Sequence, residues 1–71
     1  MAVSYKKLWK LLIENEMNKT ELRIKAGIST GALAKLGKNE NVNTEILGKI
    51  CKALGCKIDD IMEFVEDNNN G

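Results

Sequence analysis

Histidine and proline are both absent from this 71-residue chain, aromatic residues make up only 4%, and cysteine occurs twice. Without histidine there can be no histidine-based catalytic triad and no histidine metal site. Without proline, and with a charged share of 30%, the composition suits a mostly helical domain. Cys51 and Cys56 are five positions apart, which makes neither a CxxC pair nor a metal framework. They are expected as buried thiols, because a reducing cytoplasm disfavours a disulfide; a redox switch through the pair is the rival idea.

No apolar run approaches the ~20 residues that span a bilayer, and no signal-peptide pattern opens the chain. The expectation is a soluble, cytoplasmic protein without a membrane partner. Glycine-rich phosphate motifs are missing. Asp59 and Asp60 are adjacent, so on a helix their side chains diverge rather than share a substrate. The sequence therefore predicts no enzyme, no cofactor, no metal and no evident small-molecule ligand.

A chain this short holds one small domain with a modest core. The expected domain covers residues 1–66, with a disordered polar tail at 67–71. Net charge is only +1, but it is polarised. Residues 1–38 carry eight Lys/Arg against Glu14, Glu16 and Glu21, a net of +5. Residues 39–71 carry Lys49, Lys52 and Lys57 against seven acids, a net of −4. A basic half is the footprint of a polyanion binder, although a solvated surface can also be uneven by chance.

Apolar spacing and capping signals predict five helices. The first runs from Ser4 to Asn15, with Tyr5, Leu8, Leu11 and Leu12 on one face and Trp9 and Ile13 as a second ridge. The second opens at Asn18, where Glu21 completes a capping-box pattern, and stops at Gly27. Ser29 caps the third, Thr30 to Gly37, with Leu33 and Leu36 facing inward. Asn43 caps the fourth, Thr44 to Leu54, which Gly55 ends. A fifth is expected from Ile58, with Asp59 and Asp60 in its first turn and Ile61, Met62, Phe64 and Val65 on its apolar side.

Two short helices joined at a glycine turn make a helix-turn-helix unit, here residues 19–36. The phrase "ELxxKAGIS" followed by "LxKLxxxE" resembles the Cro-type, lambda-repressor-like (Xre) helix-turn-helix family. "TEILGKICKALGCKIDDIMEF" is similar to that family's fourth and fifth helices. The resemblance spans about residues 4–65 and implies an all-α, compact five-helix fold. It also implies a sequence-specific transcriptional regulator of double-stranded DNA, at work on the bacterial nucleoid. In family geometry the third helix enters the major groove and the second crosses the backbone. Position by position, Thr30, Gly31, Ala34 and Lys35 become the base readers. Lys19, Thr20, Lys38 and Asn39 become the phosphate contacts.

Several positions depart from the family pattern. Lys19 stands where Gln is usual, giving a point charge in place of a two-sided clamp. Arg23 replaces Ala where the two helices approach; its stem must bend outward or the pair must open slightly, and small Gly31 and Ala32 are expected to make room. Ile24 replaces a polar residue and Gly37 a Glu. Asn39 replaces the turn Gly, a mild change because Asn tolerates the left-handed conformation.

The reading face has no Arg, Asn or Gln. Thr30 offers a hydroxyl and a methyl, Ala34 can touch a thymine methyl, and Lys35 can reach guanine O6/N7. Gly31 lets the backbone approach the groove floor. One such helix discriminates poorly, so a homodimer on a palindrome is expected, acting by operator occupancy. Trp9, Ile13, Met62, Phe64 and Val65 are the expected dimer surface, unless the fifth helix folds back and covers Trp9. Gly48 is read as permitting close approach of another helix. The alternative function is a protein-binding helical module, an antitoxin or anti-regulator that keeps the fold without specific DNA reading. Each named site residue is otherwise ordinary surface, whereas Leu22, Ile28, Leu33 and Leu36 are core under either function.

Overall fold

The computed structural model describes residues 1–66; the tail expected at 67–71 lies outside them. Four α-helices are present among the described residues: α1 (Lys6–Glu14), α2 (Lys19–Ala26), α3 (Thr30–Gly37) and α4 (Thr44–Leu54). They are framed by two short strands, β1 (Ala2–Ser4) and β2 (Glu63–Val65), with a 3₁₀ turn at Ile58–Asp60.

The local signals specify the helix ends. Asn18 Oδ1 accepts from the Glu21 amide at 2.8 Å, and the Glu21 carboxylate accepts from the Asn18 amide at 2.9 Å. Ser29 and Asn43 cap α3 and α4 through the amides of Ala32 and Ile46. Gly27 and Gly55 end α2 and α4 at φ +69° and +66°, in the left-handed region that glycine enters without a Cβ clash. Asn39 takes φ +56° in the turn after α3.

The expected fifth helix is not there. Its segment makes one 3₁₀ turn and then pairs antiparallel with the N-terminus, in the register Ala2–Val65, Val3–Phe64 and Ser4–Glu63. The first helix correspondingly begins at Lys6, because Ala2–Ser4 is strand. Tertiary pairing overrides the helical spacing of Ile61, Met62, Phe64 and Val65, and Phe and Val suit a pleated surface. Lys7 ties this end to α1: its ammonium donates to the Asp59 carbonyl at 3.1 Å and lies 4.0 Å from the Glu63 carboxylate.

The core joins Val3, Tyr5, Leu8 and Leu12 to Leu22, Ala26, Ile28, Leu36, Leu47, Ile50 and Ile61. Leu33 departs from expectation: it is half-buried and outside this cluster. The reason is angular. At about 100° per residue, Ala32 and Leu36 define the inward line of α3, and Leu33 lies to one side of it. Tyr5 is buried and braces the turn after α3. Its amide donates to Asn39 Oδ1 at 3.1 Å and its hydroxyl to the Glu40 carbonyl at 2.8 Å. Burial pushes the phenol pKa up, and a backbone hydrogen bond at Val42 pulls it partly back.

Among the described residues Gly48 has no packing role, since a Cβ there would meet none of their atoms within 4 Å. Gly48→Ala is expected to stabilise the domain by about 1 kcal/mol, seen as a rise of roughly 4–8 °C in thermal unfolding. A lower melting temperature would mean that a second chain packs closely at this position.

Candidate nucleic-acid interface

One exposed arc of α3 gathers the residues proposed to read bases. Thr30, Gly31, Ala34 and Lys35 are all exposed, as is Lys38, the expected phosphate contact that caps the end of the helix. At about 100° per residue they share a continuous sector of about 140°, opposite Ala32 and Leu36. Among the described residues, neither Lys35 nor Lys38 has an ionic partner. Among the described residues, a Cβ on Gly31 would meet only Ser29 Oγ, at 3.8 Å. Gly31 therefore does not make room for the half-buried Arg23, which has no atom near that Cβ position.

The start of α2 presents Lys19 and Thr20, both exposed, on its first turn. The capping box uses the amides of Asn18 and Glu21, leaving those of Lys19 and Thr20 for an anion. The Glu21 carboxylate in the same turn works against an anion, so the Lys19 charge matters there. Lys19 Nζ lies 4.5 Å from the centre of the Trp9 ring, within cation–π range. Trp9 is not covered by a fifth helix; its half-buried ring packs against the core and meets this ammonium.

Asn39 has a bracing role as well as an exposed position. Its Oδ1 is engaged by Tyr5, which leaves its amide NH₂ as the group able to donate to a phosphate. A groove beside Lys35, lined by Ser29, Gly31, Val42, Asn43 and Ile46, brings the start of α4 next to the arc. Sequence reading gave Asn43 only its capping task; three asparagines in "NENVN" were the available signal.

The five residues expected to form one dimer surface fall on two flanks. Trp9 and Ile13 line a groove with Met17 and Lys19. Met62 and Phe64 line another with Lys7 and Ile58. Phe64 pairs with Val3 in the sheet and stays 62% exposed, and Val65 follows it on β2.

Cys51 and Cys56 are free and half-buried. Burial, with help from Cys51 and Asp60, pushes the Cys56 thiol pKa up. A raised pKa lowers the thiolate fraction, and the expected burial of the two thiols is only partial. Among the described residues no cluster of His, Cys, Asp or Glu could hold a metal, and no helix is long and apolar enough to cross a membrane.

Comparison with known proteins agrees with this geometry. A family model for the Cro/C1-type HTH DNA-binding domain matches residues 7–67. The chain is 36% identical over 63 residues to YozG, an uncharacterized HTH-type transcriptional regulator of Bacillus subtilis (strain 168), covering 86% of this chain and 75% of that protein. It also superimposes on the crystal structure of the transcriptional regulator VanUg with a TM-score of 0.90 and 52% sequence identity, covering 93% of this chain and 88% of that one. With its capped α2, glycine turn and α3 in this arrangement, the chain belongs to the Cro/C1-type helix-turn-helix DNA-binding family.

Proposed function

We propose that the chain is a sequence-specific transcriptional regulator that binds double-stranded DNA as a homodimer and acts by occupying its operator. The exposed arc of α3 carries the reading: Thr30, Gly31, Ala34 and Lys35 face bases in the major groove. Lys19, Thr20, Lys38 and Asn39 hold the backbone on either side. The two α3 helices of a two-fold dimer would lie about 34–36 Å apart, one turn of DNA. Two relatives described as transcriptional regulators support the reading.

Salt dependence tests it. Each neutralised phosphate contributes a slope of about −0.9 to log K against log salt. Lys19 and Lys38, the charged phosphate contacts, from two protomers give about −3.6, or roughly 10²-fold weaker binding from 50 to 200 mM salt. A slope near zero would contradict DNA binding by this face. It would favour the protein-binding module, which the 66% exposed Ile24 and 75% exposed Ile13 would suit.

A further inference from the structure

We infer that Trp9 is a positioning residue for DNA binding: its ring holds the Lys19 ammonium in place for a backbone phosphate. The inference rests on the DNA-binding function proposed above and adds a residue to it. The observation is the pairing across α1 and α2, with Lys19 Nζ 4.5 Å from the Trp9 ring centre.

Lysine is a flexible point charge that loses much rotamer freedom when it docks on a phosphate. A side chain already restrained in the free protein loses less on binding. The Trp9 ring is suited to impose that restraint. It is half-buried, packs against the core, and lines a groove with Leu12, Ile13 and Met17, so it is a fixed platform. A cation over a ring face keeps its N–H groups on the far side for an anion. The pair also stands at the first turn of α2, where the Lys19 and Thr20 amides lie outside the capping box. Glu21 places a carboxylate in that turn, and a held ammonium offsets it where a wandering one would not.

The test is a double-mutant cycle of Trp9→Leu and Lys19→Met, read as affinity and salt slope on a mixed-sequence DNA duplex. Trp9→Leu is expected to weaken binding several-fold and to reduce the slope toward that of Lys19→Met. In the Lys19→Met background the Trp9 change should have no further effect. Trp9→Tyr, which retains an aromatic face and guards against a folding defect, should restore most of the loss. Equal losses from Trp9→Leu in both backgrounds, or an unchanged slope, would overturn the inference while leaving DNA binding intact. Failure of the wild type to bind duplex at low salt would instead remove the DNA-binding function, and the inference with it.

Discussion

Lys35→Glu is expected to weaken duplex binding by two to three orders of magnitude while leaving the fold in place. A good guanine contact is worth ~1–3 kcal/mol, and a dimer makes the contact twice. Reversing the charge adds repulsion from phosphate on both sides of the groove. The stability cost is small because Lys35 is exposed and without an ionic partner among the described residues. It lies in the last turn of α3, where an acid opposes the helix dipole by about 0.3–1 kcal/mol. Titration of labelled duplex alongside thermal unfolding separates the two effects. A variant that binds as well as wild type would show that this arc does not face DNA. Lys35→Ala should fall between them, losing the contact without the repulsion.

Leu36→Ala is expected to be among the most damaging small changes in the helix-turn-helix unit. Leu36 is fully buried and joins the core of α1, α2 and α4. Truncating a buried Leu costs about 2–5 kcal/mol. A domain of this length holds only about 3–10 kcal/mol in total, at roughly 0.05–0.15 kcal/mol per residue. Melting should therefore drop by at least about 8 °C, at roughly 4–8 °C per kcal/mol, and the variant should be partly unfolded at physiological temperature. Leu33→Ala is the internal comparison. The sequence makes the two leucines look equivalent, but Leu33 is half-buried outside the core cluster, so its loss should cost only about 1 kcal/mol. Equal destabilisation by both changes would contradict the observed rotation of α3.

The features legible in the sequence were the ones with local causes. Asn18 with Glu21, Ser29 and Asn43 announce helix starts because each hydrogen bond closes within three residues. Gly27 and Gly55 announce ends because their backbone angles favour glycine. The exposure of Thr30, Gly31, Ala34 and Lys35 follows from the 3.6-residue period once the helix is placed.

The misreadings have non-local causes. "EFV" became strand because "AVS", some sixty residues away, offers it a partner. The position of Leu33 depends on how α3 rolls against its neighbours, which an eight-residue pattern does not specify. Trp9 and Lys19 are ten residues apart and meet only because the turn between α1 and α2 folds one helix over the other. That turn includes Glu16 at φ +54°, a left-handed residue that no glycine announced. Asn39 has a second task that the sequence did not announce: its side-chain oxygen accepts from the Tyr5 amide, which is visible only with both segments in place.

The central claim is that α3 reads sequence through a small set of side chains on a two-fold dimer. Selection of bound duplexes from a random pool at moderate salt tests it most directly. A palindromic consensus is expected, with half-sites centred about 10–10.5 base pairs apart, or a multiple of that. Strong guanine or thymine preferences are expected at only a few positions, because Lys35, Thr30 and Ala34 are the side chains available. Retention of duplexes with no consensus, or of none at all, would contradict the claim.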